Sequence, residues 1–169
     1  VQGGRITAVG PAASTQVPAG ATRVDLKGKT LLPGMINAHG HVAATQGLQS
    51  NPSFYTRDNL VRQLKLYGQY GFTTVFSLGD DLEAGFALRD EQSKGPLDRA
   101  RIFVAGPVIT GDTAEAARAM TDKVADMKPD VLKIRVDDNL GSSKKMPEAA
   151  WRAVIARGHE RGLKVDVHI

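Results

Sequence analysis

His39 and His41, two imidazoles separated by one glycine at the end of the apolar run Met35-Ile36-Asn37-Ala38, are the residues best placed to do chemistry in this chain. If that run is a strand, successive side chains alternate between its faces, so both rings lie on one side and can reach a single metal ion. Neutral imidazole is a borderline ligand that suits zinc and similar divalent ions. A bare His-x-His recurs by chance in unrelated chains. Here the Pro33-Gly34 break gives the run a defined start, and the pattern after it adds weight.

Two further strand ends carry polar groups on the same footing. In Asp130-Val131-Leu132-Lys133-Ile134-Arg135-Val136, Lys133 falls on the face opposite Leu132, Ile134 and Val136, and points inward if those three pack against helices. Such a lysine ordinarily runs its stem to solvent, and a protonated ammonium cannot bind a metal. In Leu163-Lys164-Val165-Asp166-Val167-His168-Ile169 the apolar positions alternate strictly, which sets Asp166 and His168 on the inward face. An inward Asp166 requires an ionic or hydrogen-bonding partner. His159 lies among Arg157, Glu160 and Arg161 and reads as a solvated residue.

The elements that must position these groups follow from periodicity. Strands are predicted at 35–39, 73–78, 101–105, 131–136 and 164–168, with starts separated by about 30 to 40 residues, the length of a βα unit with its loops. Helices are predicted at 57–70, 82–93, 113–127 and 147–161, with Asp81 and Asp112 as caps, Gly71 and Gly162 as stops and Pro147 in a first turn. Alternating β and α without hairpin signals implies a parallel sheet. A doubly wound sheet and a (β/α) barrel both fit. The first turn carries His-Gly-His where a nucleotide fold carries glycines, and a barrel places its chemistry at strand C-terminal ends. Residues 4–10 and 22–28 read as short strands between Gly and Pro turns. They are too few to bury a core alone.

Composition narrows the partners. At 169 residues, 41% hydrophobic and 24% charged, the chain is an ordinary globular one. Its net charge of +4 comes from 22 basic and 18 acidic residues that are dispersed, and one Trp, three Tyr and five Phe provide no stacking surface. Nucleic acid is therefore not an expected partner. No run reaches the ~18 apolar residues of a membrane span, so no membrane partner is expected. Without cysteine, any metal must be held by histidine, carboxylate or a modified side chain. The chain opens without Met in what reads as the middle of a strand, so a preceding segment is expected, and cytoplasmic and exported locations are equally compatible.

Several ordered blocks together resemble the amidohydrolase superfamily, in its imidazolonepropionase-like and prolidase-like branch. They are Leu31-Leu32-Pro33-Gly34-Met35-Ile36-Asn37-Ala38-His39-Gly40-His41 with its lead-in Val24 to Lys29, then Gly71-Phe72-Thr73-Thr74-Val75, Val104 to Thr110, and Asp130 to Ile134. The resemblance covers nearly the whole chain. It implies an α/β protein: residues 1–32 as part of a small β-sandwich, and 33–169 as the N-terminal portion of a (β/α)8 barrel, about five βα units of it.

By the same resemblance His39 and His41 hold a first metal, Lys133 reacts with carbon dioxide to give a bridging carbamate, and His168 holds a second metal. The cofactor implied is a pair of divalent ions, zinc, and the activity is hydrolysis of a carbon–nitrogen bond in an amide or dipeptide by a metal-activated hydroxide. The alternatives are a mononuclear cyclic amide hydrolase or deaminase of the imidazolonepropionase type, and a non-catalytic scaffold. The family's sixth-strand histidine and eighth-strand aspartate, the general base, are expected beyond Ile169, and no appreciable turnover is expected of residues 1–169 alone. Expected partners are the small-molecule substrate and the remainder of the barrel, with a homo-oligomer left open. Many members carry Asp where this chain has Asn37. The loops at Asp80-Asp81, Thr110-Gly111-Asp112 and Asp137-Asp138-Asn139 are expected to line the mouth.

Overall fold

The computed structural model describes residues 1–169, which divide into two compact units, Val1–Pro33 and Gly34–Ile169. In the first, the strands expected at 4–10 and 22–28 do not form. The segment has turns and one antiparallel bridge between Gln2 and Arg5, and its apolar residues Ile6, Val9, Val24 and Leu31 are all exposed. Alternation marks a chain suited to a half-buried sheet, but a strand also needs a neighbour for its backbone groups and a layer for its apolar face. Within residues 1–33 neither is present.

The second unit follows the predicted rhythm closely. Its strands are β1 (Met35–Gly40), β2 (Thr45–Gln46), β3 (Gln49–Ser50), β4 (Phe72–Ser77), β5 (Arg101–Val104), β6 (Leu132–Arg135) and β7 (Val165–His168). Its helices are α1 (Arg57–Gln69), α2 (Glu83–Glu91), α3 (Ala114–Asp126) and α4 (Glu148–Glu160). β2 and β3 form a small antiparallel hairpin that the strand reading did not include. The other five strands are parallel, in the orders β1-β4-β5 and β6-β7. A parallel bridge between Ile109 and Ile134 and the bond from Asp130 N–H to the Val104 carbonyl carry the sheet from β5 to β6. Strand order thus equals chain order, without the reversal that defines a doubly wound sheet. The progression matches barrel-type βα units, and a closed ring is not present.

Helices bury one stripe each. Leu60 and Leu64 of α1 pack with Val75, Leu88, Ile102 and Val104. Val124 of α3 and Val154 of α4 pack with Ile109, Leu132 and Ile134. No helix is long and apolar enough to cross a membrane. Gly71 ends α1 with φ of +84°, a conformation that disfavours other residues, and a Cβ there would also press on Met35 at 3.3 Å.

The predicted caps are shifted by one residue. Thr113, not Asp112, caps α3 by accepting from Ala116 N–H at 3.1 Å, and Leu82 begins α2 without a side-chain cap. Asp81 turns inward instead. It is fully buried and accepts hydrogen bonds from the Tyr55 hydroxyl (3.1 Å) and from Ala105 and Gly106 N–H (2.9 and 3.2 Å), tying the end of β4 to the end of β5. Burial raises its carboxyl to about 6, against the lowering effect of hydrogen bonds from Ser77, Ala105 and Tyr55. Because the folded value lies above the ordinary 3.8, the contribution of Asp81 to stability is complete below pH ~4 and is lost as pH rises through 6, by roughly 3 kcal/mol. A carbon-detected NMR titration of Asp81 should therefore show a midpoint near 6. A midpoint in the usual carboxylate range would show that the group is hydrated.

Candidate metal centre

β1 delivers its histidines through an irregularity. Asn37 pairs with Val75 and Gly40 with Ser77, so three residue steps on β1 face two on β4, a bulge beside the functional end. Bulges of this kind re-aim a side chain. Gly40 between the histidines permits it, since a Cβ there would meet Val75 at 3.0 Å and the Tyr67 hydroxyl at 3.2 Å. Asn37 secures the turn by accepting from His39 N–H at 3.1 Å, while its amide donates to the Tyr67 hydroxyl at 3.5 Å. Its role here is to shape the strand end, which requires an acceptor and not a charge.

The outcome brings together what the sequence separated. The His39 and His41 ring centres are 5.6 Å apart, and the His168 ring, from the end of β7, stands 6.5 Å from His39. Lys133 is 3% exposed and forms an ion pair with Asp166, its cross-strand neighbour in the β6–β7 register. This is the partner that an inward Asp166 requires. His159 is exposed on α4, as expected.

The charges around His41 are mixed. Partial desolvation, followed by the positive fields of His39 and Lys133, holds its imidazole below the ordinary range, with Asp80 opposing and Arg135 adding a smaller push. A neutral imidazole is the ligating form. Around His168, Asp137 Oδ2 lies 3.8 Å from Nε2.

Whether this donor set fits a divalent ion can be judged from spacing. Two imidazoles bound to one zinc at ~2.0–2.1 Å with a tetrahedral angle hold their ring centres about 5 Å apart. The observed 5.6 Å for His39 and His41 is close to that value. No three histidine or carboxylate groups close on a single point, so His39 and His41 form a pair and His168 stands further off. Asp137 Oδ1 is buried without a hydrogen-bond partner, on the carboxylate whose other oxygen lies 3.8 Å from His168. The residues present therefore fit an ion held by the His39–His41 pair, with His168 and Asp137 available nearby.

The expected mouth loops do line a cavity. Asp80, Thr110, Gly111, Asp112 and Asp137 surround a space of about 320 Å³ together with Arg135 and the Ser143–Met146 segment. A larger space of about 510 Å³ beside α1 is lined by His41. None of the four candidate ligands lines the smaller one, which adjoins His168 through Asp137. Arg135 was missed by the sequence reading, although the alternation that turned Lys133 inward also turned Arg135 inward.

The parallel βα units in chain order are a fold shared with solved structures of hydrolases, an amidohydrolase among them. A candidate prolidase from Bifidobacterium longum superposes with a TM-score of 0.82 at 26% identity, over 98% of this chain and 42% of its own. Molinate hydrolase gives 0.79 at 20% identity over 98% and 48%. A Xaa-Pro dipeptidase with methionine bound in its active site gives 0.66 at 20% identity over 80% and 43%. The chain thus spans less than half the length of each. No family model matches the sequence, and no curated protein does.

Proposed function

We propose that this chain supplies the first metal ligands of a hydrolase that cleaves a carbon–nitrogen bond in an amide or dipeptide, prolidase-like in type. In this reading residues 33–169 are the N-terminal portion of its (β/α)8 barrel, and 1–32 are part of a small β-sandwich. His39 and His41 would hold one divalent ion, zinc, and His168 a second, with Lys133, as a carbamate, a further ligand. The observation that carries the reading is the His39–His41 pair at the end of β1, with His168 at the end of β7 6.5 Å from His39. Divalent ions bound there would polarise the amide carbonyl and acidify water. The chain's own contribution is to favour the neutral form of His41, chiefly by desolvation, to fix the histidine pair on a bulged strand end, and to bury Lys133.

A mononuclear reading is favoured by one observation, the pairing of Lys133 with Asp166, which occupies the amine with a carboxylate partner. In that case the parent is a cyclic amide hydrolase or deaminase using one ion. Metal content decides between the two. The full-length parent protein is expected to hold about two zinc equivalents and to hydrolyse dipeptides in a chelator-sensitive manner. One equivalent with an unmodified Lys133 supports the mononuclear enzyme, and no bound metal with no chelator-sensitive hydrolysis leaves a non-catalytic scaffold.

A further inference from the structure

The ladder between β1 and β4 ends at Gly40 and Ser77, and the Gly40 carbonyl takes one last bond from Leu78 N–H at 2.8 Å. His41 is the next residue. Two positions on, the backbone takes a left-handed step at Ala43, which is fully buried with φ of +78°. Residues other than glycine seldom adopt that conformation, and it persists where the surroundings over-determine it. The buried backbone groups beyond the ladder need partners, and side chains supply them. Val42 N–H donates to Ser77 Oγ at 3.4 Å. Gln63 of α1 spans the turn, its Oε1 accepting from Ala43 N–H and its Nε2 donating to the Thr45 carbonyl, both at 2.8 Å.

Asn59, one helical turn before Gln63, adds a second hold. Its Nδ2 lies 2.9, 3.0 and 3.1 Å from the carbonyls of Ala43, Thr45 and Phe54. Arg62 donates to Asn59 Oδ1 from Nε and Nη2 at 3.1 and 2.7 Å, which turns the amide nitrogen toward those carbonyls. One turn after Gln63, the Tyr67 hydroxyl meets Asn37, on the other side of the histidines. Residues 59, 63 and 67 thus form one polar stripe of α1 that grips the chain before and after the pair, while Leu60 and Leu64 anchor the helix in the core. Helix formation does not require this stripe, since Thr56 already caps α1. His41 lies between the two holds, and it lines the 510 Å³ space together with Gln63. A ligand ring must be held to within about 0.5 Å to bind well, so the backbone that carries it has to be fixed.

We propose that Gln63, assisted by Asn59, is a positioning residue for His41: by clamping the strained turn at Ala43 it sets the direction in which the His41 imidazole meets a divalent ion. This rests on the reading of His39 and His41 as a metal pair, but the hold on the ring can be measured in the metal-free protein. The test compares the native protein with Gln63→Met, which keeps the length of the side chain and removes both its donor and its acceptor. Two readouts are taken on each, the His41 Cε1–Hε1 NMR signal in the presence of EDTA and a Co²⁺ titration followed by visible absorption. Val154→Ala, in the core shared by α3 and α4, is the control for a general loss of stability.

Gln63→Met is expected to shift or broaden the His41 signal while that of His159 stays in place. It should also weaken Co²⁺ binding about 10-fold, the lower end for loss of a residue behind a metal ligand, and change the Co²⁺ absorption, which reports ligand geometry. Val154→Ala should leave the His41 signal, the affinity and the absorption at native values. If Gln63→Met fails to fold, Asn59→Ala removes the other hold on the same turn and should move the same signals in the same direction by a smaller amount. A native His41 signal in the variant, unchanged Co²⁺ affinity and absorption, or equal losses in Val154→Ala would overturn the proposal. Absence of Co²⁺ binding by the native protein would overturn the metal reading instead, and the His41 signal alone would then decide whether Gln63 directs the ring.

Discussion

Replacing His41 by alanine is expected to lower the affinity for Zn²⁺ or Co²⁺ by about 100-fold or more, because loss of even an outer-shell partner of a metal ligand costs 10- to 100-fold. His39→Ala should do the same, and the two losses should not add, since either one breaks the pair whose rings stand 5.6 Å apart. His159→Ala, on the exposed face of α4, is the control that should leave affinity unchanged. The pH dependence carries a sign. Desolvation and the charges of His39 and Lys133 lower the His41 pKa, so the proton competes less well for this nitrogen than for an ordinary histidine. Metal binding should therefore persist to lower pH than an unperturbed imidazole allows. Titration with Co²⁺, read by its visible absorption, checks both points. An affinity in His41→Ala equal to that of the native protein would remove the histidine pair from the metal site.

The positions of β1, β4, β5, β6 and β7 were legible because each is an apolar run bounded by Gly, Pro or a helical pattern, and a buried strand leaves that signature whatever lies beside it. Residues 4–10 and 22–28 carry a similar alternation, yet no strand pair forms there, since alternation says that a face could be buried and is silent on what would cover it. The candidate site was half legible for a related reason. Lys133, Asp166 and His168 could be placed on inward faces from period two alone. That Lys133 faces Asp166 while Arg135 faces His168 depends on register, which the sequence of either strand does not contain. Asp81 read as a helix cap because it precedes an apolar periodic run. Its burial against Tyr55, Ala105 and Gly106 depends on contacts 24 to 26 residues away. The bulge that aims His39 arises from the pairing of β1 with β4 and has no local signal at all.

Asp166→Ala is expected to destabilise the protein by about 3–5 kcal/mol, whereas Lys133→Met should fall within about 1 kcal/mol of the native protein. The asymmetry follows from exposure, since the Lys133 side chain is 3% exposed and that of Asp166 is 34% exposed. Removing the acid strands an ammonium where water cannot reach it. Removing the amine leaves a carboxylate that solvates itself, and methionine fills the volume of the lysine stem. Urea denaturation of the two variants reads the difference directly, and equal losses would show that the pair is solvated. The same pair bears on the chemistry of Lys133. Carbon dioxide adds to an amine through its lone pair, releasing a proton and creating an anion, and the neighbouring carboxylate of Asp166 repels that anion. Carbamate at Lys133 therefore requires cations beside it to outweigh the field of Asp166. Asp166→Asn removes that opposing charge, so the signal of a carbamate labelled with ¹³C-bicarbonate should be stronger in this variant than in the native protein at equal metal content. A weaker signal would mean that Asp166 acts in forming the carbamate by accepting the proton of the amine, and is more than the counter-charge of an idle lysine.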